Sequence, residues 1–212
     1  MWSRILLSVF LFLASAAAQT GTPKVEGVDS DFVHRAFGDT CSFESGWPAM
    51  TGDLNDDGVD DVMIVARCKN PLVDQGDKNY KVIDPMDSFF GYGNPAITTG
   101  FAPDDPKLRG IDVLVIHGSG PDAWHSKTPQ AKYVIINIPV KTVCLKKMRL
   151  RKKKLVTAIY IEEAGGDQMT SALFWDGHKY RYEPLGSSMD AGETGPSESG
   201  PVQSGQANPR PY

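Results

Sequence analysis

Beyond its first eighteen residues the chain has no apolar run long enough to cross a bilayer, and it has neither an excess of basic residues nor a Gly-x-Ser-x-Gly segment. The first absence leaves the opening segment as the one stretch that could anchor the chain in a membrane by a helix. The second argues against a general nucleic-acid binder, which needs a basic face to displace phosphate counterions; here 22 Lys and Arg stand against 26 Asp and Glu, for a net charge of −4. The third removes the nucleophile elbow of the α/β-hydrolases. Cysteine is scarce as well: Cys41, Cys68 and Cys144 lie far apart, so no pair has the close spacing of a zinc site.

The opening segment has the export pattern. One basic residue, Arg4, precedes the apolar run Ile5-Leu6-Leu7-Ser8-Val9-Phe10-Leu11-Phe12-Leu13, and small residues lead to an Ala-x-Ala site before Gln19. Residues 1–18 are therefore expected to be a signal peptide, with the mature protein secreted or periplasmic. In an oxidising compartment three cysteines suggest one disulfide and one spare thiol. Pairing Cys41 with Cys68 would bracket the acidic loop discussed below, but the other two pairings remain open.

Residues 19–30 are a flexible lead-in, rich in Thr, Pro and Gly. A short helix is expected over 31–37, with Phe32, Val33, Ala36 and Phe37 at helical spacing, Ser30 as its cap and Gly38 as its stop. Residues 41–51 show no period and are expected to be a loop. The apolar run 62–67 is expected to be a buried strand, and 111–116 and 132–139 are β-branched strands between turns. The intervening stretch 69–110 is crowded with Pro, Gly, Asp and Asn, has room for a short helix, and carries the aromatic cluster Phe89, Phe90 and Tyr92.

Two hairpins follow. The first joins 142–150 to 155–162 through the basic run Arg151-Lys152-Lys153-Lys154. The second joins 171–175 to 178–182 through a two-residue Asp176-Gly177 turn. Residues 187–212 have almost no large apolar side chain and are expected to be a disordered tail. The fold class is thus mostly β, an antiparallel meander or blade-like sheet with one short helix, spanning 31–186.

The stretch Gly52-Asp53-Leu54-Asn55-Asp56-Asp57-Gly58-Val59-Asp60-Asp61 carries the chemistry. Short oxygen-bearing side chains at Asp53, Asn55 and Asp57 can converge on one hard cation if the backbone curls around it, and Gly58 supplies the sharp turn. The Val59 carbonyl and the Asp61 carboxylate would complete the set. An EF-hand would need a bidentate Glu at the twelfth position, where this chain has Ile64. Residues 52–65 resemble instead the FG-GAP repeat of integrin α-chain propellers and many secreted bacterial proteins, a Gly-Asp-x-Asn-x-Asp-Gly-x-x-Asp loop running into an apolar strand. The resemblance implies one structural Ca2+ held by Asp53, Asn55, Asp57, Val59 and Asp61. It covers a single copy in a chain too short for a propeller, so the metal loop carries over and the architecture does not.

Other features have plainer readings. His117-Gly118-Ser119-Gly120 after a strand has the look of a His-Gly-x-Gly oxyanion loop, and a small secreted hydrolase using it is the alternative function. The basic residues of 146–154 would coat an edge hairpin and block aggregation. Glu162, Glu163 and Asp167 fit a solvated loop. The leading expectation is an exported, calcium-stabilised, non-catalytic binding module for a protein or glycan, with the aromatic stretch 87–101 as its contact surface.

Overall fold

The computed structural model describes residues 25–90, 106–108, 110–150, 154–164 and 169–187. The leader, most of the lead-in, the tail beyond Ser187, and 91–101 of the expected contact surface lie outside them. The fold is mostly β. Its two sheets are stacked, with a helix on the far side of the first.

The first sheet holds β1 (Cys41–Phe43), β2 (Met50–Gly52), β3 (Asp61–Cys68), β4 (Lys81–Ile83), β5 (Ile111–His117) and β6 (Ala131–Ile135), in the order β1-β3-β5-β6-β4, with β2 also on β3. All its pairings are antiparallel except β4 with β6, which is parallel. Residues 62–66 of β3 and 113–116 of β5 read as unbroken apolar runs because both faces are covered. Val62, Ile64 and Ala66 of β3 face a core that includes Val33, Phe37 and Trp124, whereas Met63 and Val65 face the second sheet. That second sheet runs β10-β9-β8-β7, from β7 (Val140–Arg149), β8 (Leu155–Glu163), β9 (Met169–Trp175) and β10 (Tyr180–Ser187). Ile159, Ile161, Leu173, Tyr180 and Tyr182 fill the space between the sheets. The chain passes from one sheet to the other at Asn137, which takes the left-handed φ of 63° that asparagine tolerates.

Helix α1 (Ser30–Phe37) buries Val33 and Phe37, as its spacing predicts, and stops at Gly38 with φ 95°. Its cap is Asp29 rather than Ser30: the Asp29 carboxylate accepts from Phe32 N at 2.7 Å. Both residue types can cap, and the side chain three positions before a free N–H takes the role. Residues 41–51, expected to be a loop, contain β1 and β2; three residues are too few to display an alternation. The crowded stretch contains α2 (Gln75–Lys78), β4 and α3 (Pro85–Phe90).

The hairpin between β9 and β10 differs from expectation. Trp175 pairs with Tyr180, so the connection spans four residues rather than two. Asp176 Oδ1 accepts from both His178 N and Lys179 N at 2.9 Å, and the aspartate side chain thereby builds a wider turn than Asp-Gly alone would form. Glu162 and Glu163 are also not loop residues. They end β8, and Glu163 is buried, accepting from the Tyr182 hydroxyl at 2.9 Å. β7 is an edge strand, as the basic run implies, with Lys141, Lys146, Lys147 and Arg149 exposed.

Cys41 and Cys68 face each other across β1 and β3 and form a disulfide; Cys144 is free. The bridge closes a loop of 27 residues that contains the acidic stretch. No helix among the described residues is long and apolar enough to cross a membrane.

Candidate metal centre

The acidic stretch is the connection of a hairpin. Gly52 at the end of β2 pairs with Asp61 at the start of β3, so Asp53 and Asp61 stand at the two feet of the loop. The loop curls through two left-handed residues, Gly58 with φ 84° and Asp56 with φ 65°. Gly58 was legible as the turn, whereas Asp56 was not.

Inside the curl the side chains hold backbone N–H groups. Asp53 accepts from Asp57 N through Oδ1 at 3.1 Å and from Gly58 N through Oδ2 at 3.0 Å. Asn55 Oδ1 accepts from Asp57 N at 3.2 Å, and Asp57 Oδ1 accepts from Val59 N at 2.9 Å. These bonds wind residues 53–59 around the short polar side chains. Val59 is half-buried and Asp57 exposed.

Asp61 is different: it is fully buried. Its Oδ2 accepts from Leu54 N and its Oδ1 from Gly118 N, both at 2.8 Å. Leu54 itself is buried in the core between the sheets. One carboxylate therefore ties the loop to the core on one side and to the end of β5 on the other. Burial pushes the Asp61 pKa up to about 6; the two N–H bonds oppose this, and the nearby charges of Asp57 and Asp53 add to it. The only ion pair that reaches the loop among the described residues is Lys154 with Asp56, 3.1 Å apart and exposed. Among the described residues Asp53, Asp57 and Asp61 have none.

The second wall comes from 117–130. A Cβ on Gly118 would lie 2.4 Å from the Asp60 carbonyl oxygen and 2.7 Å from the Ala123 carbonyl carbon, so glycine is needed there for backbone to meet backbone. Asn55 Nδ2 donates to Gln130 Oε1 at 2.7 Å, and Gln130 N donates to the His117 carbonyl at 2.9 Å.

His117 turns inward. Its ring lies 5.2 Å from Tyr133, 5.0 Å from Trp175 and 5.7 Å from Tyr180, and Nε2 is 2.8 Å from the Tyr180 hydroxyl. Burial lowers its pKa to about 4, against the pull of Asp57 and Asp53, so the ring is neutral at pH 7. Ser119 Oγ donates to the Thr128 carbonyl at 2.6 Å and lies 3.0 Å from Ser126 Oγ. The segment noticed for its resemblance to an oxyanion turn thus packs against the acidic loop and an aromatic cluster. Neither Gly118, Gln130 nor this cluster was readable as part of the site. The His-Gly-Ser-Gly run was the one available signal, and it suggested a different use.

Among the described residues no three His, Cys, Asp or Glu side chains stand together in a group that could hold a metal ion. The carboxylates are turned onto N–H groups instead, although each carboxylate oxygen keeps a second lone pair. The chemistry of the donor set nonetheless fits a hard divalent cation. Asp53, Asn55, Asp57, the Val59 carbonyl and Asp61 offer oxygen only, and a cation here would favour the charged form of Asp61, which burial and its acidic neighbours disfavour.

Comparison with family models, with curated proteins and with solved structures finds no match.

Proposed function

We propose that this chain is an exported binding module, without catalytic activity, whose loop 53–61 holds one structural calcium ion through Asp53, Asn55, Asp57, the Val59 carbonyl and Asp61. The observation that carries this reading is Asp61: a fully buried carboxylate with two like-charged neighbours and, among the described residues, no ion pair. Bound calcium would supply that missing charge and add its binding free energy to folding. Because Asp61 also holds Leu54 N and Gly118 N, the stabilisation would reach the β2–β3 hairpin, the end of β5 and the space between the sheets. Extracellular calcium is plentiful enough to fill even weak sites, which favours a constitutive staple over a switch.

The ligand of the module is a protein or a glycan. Support for 87–101 as the contact surface is its length and its aromatic content, together with Phe89, which is half exposed and packs edge-on against Tyr182 at 5.5 Å.

Thermal unfolding with calcium and after chelation tests the metal, repeated on Asp53→Ala and Asp57→Ala. At calcium about a hundredfold above the dissociation constant, chelation should remove about 2.7 kcal/mol, or roughly 5–10 °C of midpoint. Both variants should lose that response. A wild-type midpoint indifferent to calcium rules the reading out.

A further inference from the structure

The strands that border the two sheets differ in how well they could accept another strand. β1, β2 and β4, which border the first sheet, are each three residues long. β10, at one end of the second sheet, is broken by a bulge between Pro184 and Gly186, and proline has no N–H to offer. β7, at the other end, is ten residues long. It pairs with β8 in unbroken register from Thr142 to Arg149 and contains neither proline nor glycine.

The ladder fixes which backbone groups of β7 face outward. Leu150 N donates to the Lys154 carbonyl at 2.7 Å across the end of the same hairpin. Bonded pairs alternate along an antiparallel ladder, so Thr142, Cys144, Lys146 and Met148 turn their N–H and C=O groups to β8. Val143, Leu145, Lys147 and Arg149 turn theirs away from it. No strand among the described residues pairs with that outer side. The Lys141 carbonyl is taken by Trp47 Nε1 at 3.1 Å, so the open edge runs from 143 to 149, enough for a strand of ordinary length.

Side chains along this edge select what could pair there. Val143 and Leu145 are half-buried against the core between the sheets, while Lys146, Lys147 and Arg149 are exposed. Among the described residues no carboxylate lies within ion-pair distance of those three. Lys147 Nζ donates to the uncharged Thr157 Oγ1 at 2.9 Å, and Lys146 Nζ lies 5.4 Å from the centre of the Tyr160 ring. β7 has no acidic residue, so pairing it with a second copy would crowd like charges into one seam. An acidic strand would instead bring carboxylates to unmatched cations.

We infer that the outer edge of β7, residues 143–149, is a docking site for an acidic, extended segment of a partner protein, which adds a strand to the second sheet. Backbone bonds to Val143, Leu145, Lys147 and Arg149 would give the affinity, and Lys146, Lys147 and Arg149 the preference for carboxylates. This edge is distinct from 87–101, the contact surface proposed above.

The probe is a fluorescein-labelled heptapeptide of alternating Val and Glu, titrated with the full chain at low salt and followed by fluorescence anisotropy. Saturable binding is expected, weakened at least about tenfold when every peptide residue is N-methylated, which keeps the charges and removes the backbone donors. Lys147→Gln removes one charge and should weaken binding roughly threefold. Lys147→Pro removes an outward N–H as well, leaves the β8 ladder intact, and should weaken binding at least about tenfold. Thermal unfolding checks that the proline variant folds; if it does not, the N-methylated peptide decides alone. Absence of saturable binding at millimolar peptide overturns the inference. So do equal affinities of Lys147→Pro and Lys147→Gln, which would put the peptide elsewhere. Equal binding of the plain and N-methylated peptides also overturns it, and displacement of both by heparin would then make β7 a site for polyanions rather than for a strand.

Discussion

The Gly118 N–H donates to Asp61 Oδ1 at 2.8 Å across 57 residues of sequence, and the Gly118 Cα comes so near the loop that a Cβ would stand 2.4 Å from the Asp60 carbonyl oxygen. The bond and the close approach are one requirement. The N–H can reach the buried carboxylate only if the backbone of 118 lies directly against the backbone of 60.

Gly118→Ala should therefore be costly whatever the calcium level. The contacted atoms are backbone on both sides and cannot swing away, so either the Asp61 bond breaks or the Ala123–His125 turn moves. A loss of about 2–4 kcal/mol in urea denaturation is expected. Gly76→Ala, where a Cβ meets nothing within 4 Å, is the matched control and should stay within about 0.5 kcal/mol of wild type. Equal behaviour of the two variants would refute the packing account.

Burial and charge explain which parts of this site could be read from the chain. The loop oxygens were legible because a hairpin connection puts its ligands next to one another, and β3 and β5 were legible because covering both faces leaves apolar runs. Gly118 and Gln130 were not, since only the pairing of β3 with β5 and of β5 with β6 brings them to the loop. A glycine after a strand looks the same in sequence whether it makes room for a ligand or for the Asp60 carbonyl. Strands β1 and β2 were missed because three residues hold no period, and Glu163 because a carboxylate near Gly165-Gly166 suggests solvent unless its partner Tyr182 is known.

Tyr180→Phe tests the aromatic cluster behind the loop. The hydroxyl lies 2.8 Å from His117 Nε2 with both residues buried, and its loss leaves an imidazole nitrogen without a partner. The ring shape is kept, so the cost should be that of one unsatisfied buried group, about 1–3 kcal/mol in chemical denaturation. A change under about 0.5 kcal/mol would mean that the hydrogen bond adds nothing to the ring packing.

The disulfide makes a chemical prediction. With Cys41 bonded to Cys68, the folded chain should show one thiol to a thiol reagent, on Cys144, and three after reduction and denaturation. Replacing both Cys41 and Cys68 by Ala should cost about 3–4 kcal/mol, the chain-entropy value for a loop of this length, whereas Cys144→Ser at the edge strand should change little. Two or more reactive thiols in the folded, unreduced chain would contradict the pairing.

Asp112 should make stability fall as pH rises. This carboxyl is buried, with Oδ2 accepting from Cys68 N at 3.2 Å; burial raises its pKa to about 8, against the lowering effects of that N–H and of Arg67. Arg67, the cation near it, already donates to Glu44 and to the Lys107 carbonyl. A carboxyl whose folded pKa lies above its unfolded one contributes stability that is fully present below the unfolded value near 4 and is lost as pH rises through 8, at up to about 1.4 kcal/mol per pH unit. Asn at this position keeps an acceptor for Cys68 N and cannot ionise. Urea denaturation of wild type and Asp112→Asn should thus agree within about 1 kcal/mol at pH 4 and diverge by several kcal/mol at pH 9, the variant being the more stable. Parallel pH profiles for the two proteins would show that Asp112 is ionised in the folded state, with its charge met by Arg67.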